Sequence, residues 1–236
     1  MRTVLFDLDG TLTDSRAGIF NSLVHAFTAM GLPVPPEETL LGFVGPPLHG
    51  AFREIAGLDE PAAHQAVAAY REYYVDRGIY ENALYPGVPA LLDGLVARGT
   101  TLAVASSKPV VFVERILAYF GIRGAFRAVC GGDLAGHRQG KPEVIGDALQ
   151  ALGVGDGAGP VRRPAGEGPV RRPAGEGLAG AVTVMVGDRH HDVAGAARHG
   201  LPCIGVTWGF GSPDELRSAG AVALATSMEE LAALLG

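Results

Sequence analysis

Residues 3–11 read TVLFDLDGT, a short apolar run that ends in two carboxylates one residue apart, followed by a glycine and a threonine. Four apolar or β-branched residues bounded by Asp and Gly predict a buried strand over Thr3–Phe6. Asp7 then falls at the strand's C-terminal end, where open α/β sheets bind ligands. In extended chain, residues i and i+2 share a face, so Asp7 and Asp9 can approach one pocket while Gly10 permits a sharp departure of the backbone. One carboxylate can attack phosphorus while its neighbour protonates the leaving oxygen. An isolated D-x-D would more often be a surface turn or a calcium ligand, but the full DLDGT after an apolar strand is a stronger signal.

Further short apolar runs, Thr101–Ala105, Ala128–Cys130, Val182–Val186 and Cys203–Val206, alternate with helical patterns. This alternation predicts an α/β fold with a doubly wound parallel-sheet core. In PVVFVERILAYF, Pro109 suits a first helical position, and Val113, Ile116, Leu117 and Phe120 follow helical spacing. Between the first two strands the chain is far longer than a crossover needs. A helix capped by Asp14 or Ser15 is expected there, with an apolar stripe of Ile19, Phe20, Leu23, Val24, Phe27 and Met30, and a second is expected to open at Pro36 with Glu37 and Glu38. Pro47–Ala56 and Pro61–Gly78 are helical in composition, so residues 14–84 are expected to form a helical cap inserted into a core of residues 1–13 and 85–236. Residues 159–176 repeat GPVRRPAGE twice in tandem without apolar periodicity, which predicts an expanded, flexible surface loop over residues 155–180.

A formal net charge of -6 argues against nucleic acid and anionic membranes as partners, so an anionic small molecule needs positive charge supplied locally. Cys130 and Cys203 lie in strand-like runs and are expected to be buried, reduced thiols rather than a disulfide framework. With no apolar run of membrane-spanning length and an acidic motif within a few residues of Met1, a cytoplasmic location is expected. The histidines show no zinc spacing, and His190 and His191 are expected to be plain loop residues.

The DLDGT stretch resembles the first motif of the haloacid dehalogenase-like hydrolase superfamily, and the other motifs follow in order. LAVASS ends in Ser106 and Ser107, GKPEV supplies Lys141, and VMVGDRHHD supplies Asp188 and Asp192. The resemblance implies that Asp7 is nucleophile and metal ligand, and that Asp9 is general acid/base and a main-chain metal ligand. It further implies that Asp188 completes the metal set, that Asp192 supports it from behind or through water, and that Ser106, Ser107 and Lys141 bind the phosphoryl group. Mg²⁺ is the implied cofactor, since carboxylate oxygens suit a hard cation and Asp7, Asp188, Asp192 and a phosphate repel one another by about 4 kcal/mol per pair at ~4 Å.

Because halide leaves without a proton and an alkoxide benefits from one, Asp9 favours phosphoryl chemistry over dehalogenation. The cap position, YPGV and SSKP resemble phosphoglycolate phosphatases, whereas FVGPPL and GVTWGFGSPDEL resemble proteins described as 5′-nucleotidases. A sugar phosphomutase or an inactive binding protein on the same fold are the rival classes. Lys108 is equally consistent with the cleft and with solvent. The stretch Phe43–Phe52 is expected to read the leaving group, with Leu48, His49, Phe52 or Arg53 turned to the cleft; alternatively, Leu48 and Phe52 are cap core and Arg53 is solvated.

Overall fold

The computed structural model describes residues 2–134, 140–154 and 182–236. The tandem GPVRRPAGE segment, with the loop expected around it, lies outside the described residues. TVLF forms β1 (Thr3–Phe6), buried throughout, as befits a strand with both faces covered. It pairs in parallel with β4 (Thr101–Pro109) on one side and β6 (Thr183–Gly187) on the other. Adding β5 (Ala128–Gly132), β7 (Cys203–Val206) and β8 (Ala223–Ala225) gives the parallel order β5-β4-β1-β6-β7-β8 among the described residues. The chain builds outward from β1 first in one direction and then in the other, which places the end of β1 at the topological switch of a doubly wound sheet.

Side-chain alternation divides the core between the two faces of the sheet. Leu5, Ala103, Ala105, Met185 and Cys203 pack against α7 (Lys141–Ala151), α8 (His190–Arg198) and α9 (Pro213–Ala219) through Val144, Ile145, Ala148, Val193 and Leu216. Val4, Phe6, Leu102, Val104, Val184 and Val206 face α5 (Val88–Ala97), α6 (Val110–Tyr119) and α10 (Met228–Leu235).

Between β1 and β4 the chain forms α1 (Arg16–Ala29), α2 (Glu37–Leu41), α3 (Leu48–Glu54) and α4 (Glu60–Tyr73), the last continued by a π-helical turn at Tyr74–Gly78. Asp59 caps α4, its side chain accepting from Ala62 N–H at 2.9 Å. Phe27, Phe43 and Phe52 pack ring against ring at 5.2–6.0 Å between centroids in the middle of this helical layer. The chain leaves and re-enters the sheet through paired two-residue strands, β2 (Thr13–Asp14) and antiparallel β3 (Ala83–Leu84).

Several expectations are corrected. β4 and β5 run beyond Ala105 and Cys130, and β6 starts at Thr183 rather than Val182. Pro109 ends β4 with an extended ψ of 130° and caps α6 instead of opening it, so the proline's fixed φ serves the strand exit. Val24 is 40% exposed, because Gly18, Ser22 and Ala26 supply the tightly packed side of α1 that a hydropathy stripe does not register. Cys203 is buried, but Cys130 is only half-buried because β5 is the edge strand; both are free thiols. No helix of the described residues is long and apolar enough to cross a membrane.

Candidate active site

At the C-terminal end of β1 the backbone turns through Gly10 at φ +81°, a conformation that side chains disfavour, and a Cβ there would overlap the Asp188 carboxylate. Glycine thus allows the β1 loop to lie directly against the loop after β6. Asp7, Asp188 and Asp192 converge there, one carboxylate oxygen of each lying within 4.8 Å of the others, with all three side chains buried. Asp188 is fixed on both oxygens: Oδ1 accepts from Thr11 Oγ1 at 3.1 Å and Oδ2 from Phe210 N–H at 2.8 Å. Asp192, in the first turn of α8, accepts from Arg189 N–H at 3.0 Å through Oδ2, which leaves Oδ1 facing the cluster.

Lys141 supplies the counter-charge. It opens α7, its stem lies over Gly195 of α8, and Nζ sits 2.8 Å from both Asp7 Oδ1 and Asp192 Oδ1 while donating to Ala105 O at 3.3 Å. Burial opposes charge on Lys141, but the Asp192 and Asp7 carboxylates outweigh it and hold the ammonium well above its usual pKa. One cation among three carboxylates leaves the cluster negative. Desolvation, only partly offset by Lys141 and reinforced by Asp192, pushes Asp7 up to about 6. Asp188 is also raised well above the carboxylate range, by burial and then by Asp192 and Asp7. Asp7 Oδ1 and Asp192 Oδ1 are buried oxygens without a well-directed hydrogen bond among the described residues. Under-satisfied carboxylate oxygens that repel one another fit a small, hard divalent cation such as Mg²⁺.

Asp9 lies beside this cluster rather than in it. Lys108 Nζ donates to both its oxygens at 2.7 and 2.6 Å, and the same ammonium lies 5.2 Å from the ring centre of Tyr74 in the helical layer. The structure therefore resolves the two readings of Lys108 in favour of the cleft. Ser106 is buried in β4, where the strand's register with β5 shifts, its Oγ accepting from Lys108 N–H at 3.4 Å, and Ser107 lines the same cleft. Each of Asp7, Asp9, Ser106, Ser107, Lys141 and Asp192 lines one cavity, whereas Asp188 lies against Gly10 and is not among the lining residues.

Opposite the carboxylates, the cavity wall is formed by Phe43, Val44, Gly45, Pro46, Pro47, Leu48, Tyr70, Tyr74 and Phe112. Leu48 thus faces the cleft as expected, whereas Phe52 is fully buried against Phe27 and Phe43, and Arg53 and His49 turn to Glu60, at 3.1 and 3.2 Å. Helical periodicity explains the split: Leu48 and Phe52 share a face, but the helix begins with Leu48 at the rim and buries its next turn.

Arg189 is a contact that residue-type reasoning did not single out. Its Nη1 donates to Val44 O at 2.7 Å and its Nε to Glu215 Oε1 at 2.9 Å, joining the loop after β6 to the Phe43–Leu48 wall. Burial works against ionisation of Glu215, but the His190 N–H, Arg189 and the His190 ring outweigh it and pull its pKa down to about 2. Only an arginine between two motif aspartates hinted at this role, and nothing in the spacing names its partner.

Residues 4–158 match the family model of haloacid dehalogenase-like hydrolases, and residues 138–231 match a second model of HAD-hydrolase-like proteins. The chain is 43% identical over 215 residues to a 5′-nucleotidase of Pseudomonas aeruginosa, covering 91% of this chain and 86% of that protein. It is 40% identical over 235 residues to the tyrosine-protein kinase PtkA of Mycobacterium tuberculosis, covering 99% of this chain and 72% of that one. A predicted phosphatase from Clostridium acetobutylicum superposes with a TM-score of 0.85 at 38% identity, covering 98% and 96% of the two chains. The chain belongs to the haloacid dehalogenase-like hydrolase family, as a hydrolase of its phosphatase class.

Proposed function

We propose that this protein is a magnesium-dependent phosphatase that hydrolyses small phosphate monoesters through a phosphoryl group carried transiently on Asp7. The observation that carries the proposal is the convergence of buried Asp7, Asp188 and Asp192 around Lys141, with Asp9 alongside and a cavity open above them. Asp7, Asp188 and the Asp9 main chain would hold Mg²⁺, supported by Asp192; when bound, the ion withdraws charge from the phosphoryl oxygens and from Asp7. Asp7 attacks phosphorus, breaking the ester bond as Asp9 delivers a proton to the leaving oxygen. Asp9 then takes a proton from the water that attacks the phosphorus of the acyl phosphate, releasing phosphate and restoring Asp7. Ser106, Ser107 and Lys141 hold the phosphoryl oxygens, and Lys108 orients Asp9 through both its oxygens. A partner of this kind is a small phosphorylated metabolite, met in the cytoplasm.

The helices of residues 14–84 act in this reading as a cap over the cleft, and the leaving group meets the cap wall. Phe43, Pro46, Pro47, Leu48, Tyr70 and Phe112 offer flat apolar surface, while Arg53 is engaged by Glu60 away from the cavity. That supports a nucleoside as leaving group, and hence 5′-nucleotidase activity. Phosphoglycolate is the second reading, favoured by Arg71 at the cavity edge, whose guanidinium donates to Leu134 O but could turn to a carboxylate. Release of inorganic phosphate from nucleoside 5′-monophosphates, phosphoglycolate and p-nitrophenyl phosphate, with Mg²⁺ and with EDTA, tests both levels. Higher kcat/KM for phosphoglycolate than for every nucleotide overturns the leaving-group reading alone. No magnesium-dependent release from any of them overturns the phosphatase mechanism, and also separates it from transfer to a sugar hydroxyl.

A further inference from the structure

Away from the catalytic carboxylates, α3 and α4 bring His49, Glu60 and His64 together, with one ligating atom from each within 4.8 Å of the others. Glu60 and His64 are one turn apart on α4 and therefore share a face; His49, in the first turn of α3, reaches across to them. His49 Nε2 lies 3.2 Å and His64 Nε2 3.3 Å from the same Glu60 oxygen, Oε1. For a tetrahedral ion with bonds of about 2.0–2.1 Å, adjacent ligand atoms stand roughly 3.3 Å apart. Both distances match that spacing.

Two further features point to an ion rather than to ordinary hydrogen bonding. His49 Nε2 is a buried atom with no hydrogen-bond partner among the described residues, although it sits this close to Glu60. The imidazoles of His49 and His64 lie 4.5 Å apart at 44°, each with its Nε2 near the same Glu60 oxygen. The other carboxylate oxygen, Glu60 Oε2, is engaged by Arg53 Nη1 at 3.1 Å, which fixes the orientation of the carboxylate and leaves Oε1 towards the histidines. We propose that His49, Glu60 and His64 form a binding site for a transition-metal dication of the zinc type, separate from the magnesium site and tying α3 to α4.

Ligand chemistry separates the two centres. Asp7, Asp188 and Asp192 offer only oxygen, which suits Mg²⁺, whereas two imidazoles and one carboxylate select Zn²⁺ and its neighbours. Three protein ligands leave a fourth position for water, and the guanidinium of Arg53 keeps affinity moderate by adding positive charge beside the ion. Occupancy fixes the first turn of α3, where His49 directly follows the cavity residue Leu48.

The test is calorimetric titration of Zn²⁺ into the full chain with the oxygen site occupied by millimolar Mg²⁺, comparing wild type with His64→Ala and Glu60→Gln. Wild type is expected to bind one Zn²⁺ that both variants lose or bind at least tenfold more weakly, while circular dichroism and magnesium-dependent phosphatase activity stay at the wild-type level. Co²⁺ added under the same conditions should give a visible absorption band that is absent from His64→Ala. Equal Zn²⁺ binding by wild type and both variants, or no binding by wild type, overturns the proposal.

Discussion

Replacing Lys141 by Met removes the only cation in direct contact with Asp7 and Asp192 among the described residues while leaving similar side-chain bulk over Gly195. At 2.8 Å and an effective dielectric of about 20, each of the two contacts amounts to roughly 6 kcal/mol of Coulomb attraction before desolvation is counted. The net loss is smaller, because Lys141 itself no longer has to be desolvated and because Asp7, already pushed up to about 6, can take a proton when its partner is gone. Orphaning a buried ion pair costs about 3–5 kcal/mol. For a chain of this size that corresponds to a fall in Tm of roughly 6–20 °C. The assay is calorimetric melting at pH 7 in EDTA and again in excess Mg²⁺. The deficit is expected to be largest in EDTA and to shrink with Mg²⁺, since a dication replaces part of the lost positive charge. Turnover should stay low in both, by a factor of about 10²–10³, because a preorganised donor to the phosphoryl oxygens is missing. A variant with the wild-type Tm in EDTA would refute the claim that Lys141 offsets carboxylate repulsion, and one with wild-type kcat would remove it from the site.

Asp7→Asn should abolish phosphate release while retaining the wild-type circular dichroism spectrum, because volume is kept and the nucleophile is lost; activity at the wild-type level would exclude the proposed intermediate. Asp9→Asn should lose far more rate with alkyl phosphates than with p-nitrophenyl phosphate, whose leaving group needs little protonation; an equal loss across leaving groups would exclude Asp9 as the acid. Glu215 has its pKa drawn from 4.5 down to about 2, so its contribution is present above about pH 4.5 and is lost as pH falls towards 2. The Tm difference between wild type and Glu215→Gln should therefore be constant near neutrality and vanish across that acid window, and a pH-independent difference would show that Glu215 acts through packing alone.

The placement of the carboxylate side of the candidate site was legible because those residues are tied to strand ends. TVLF is short, apolar and β-branched in the manner of a covered strand, so Asp7 was expected at a strand's C-terminal end, and the ends of the runs Thr101–Ala105 and Val182–Val186 placed Ser106 and Asp188 beside it. The far wall was less legible. Phe43–Leu48 has no period that distinguishes a cavity rim from a core turn, and Phe52 and Arg53 were indistinguishable from cleft residues until the Phe27–Phe43–Phe52 cluster and the Glu60 pair fixed their directions. Long-range polar contacts left even less trace. The bond from Arg189 to the Val44 carbonyl spans the two halves of the molecule and depends on a backbone atom, which carries no residue identity.

These two kinds of contact divide the labour of the molecule. The carboxylate cluster is bound into the sheet by Thr11, Phe210 N–H and Lys141, all of which act within residues of the α/β core. The Phe43–Leu48 wall touches that cluster's loop at Arg189, while Tyr74 reaches Lys108 and through it Asp9. Both links join a group beside the chemistry to a group in the inserted helices. A displacement of those helices relative to the sheet would therefore break both links together. Under the proposed mechanism, a substitution at Arg189 or Tyr74 is therefore expected to change KM and kcat together.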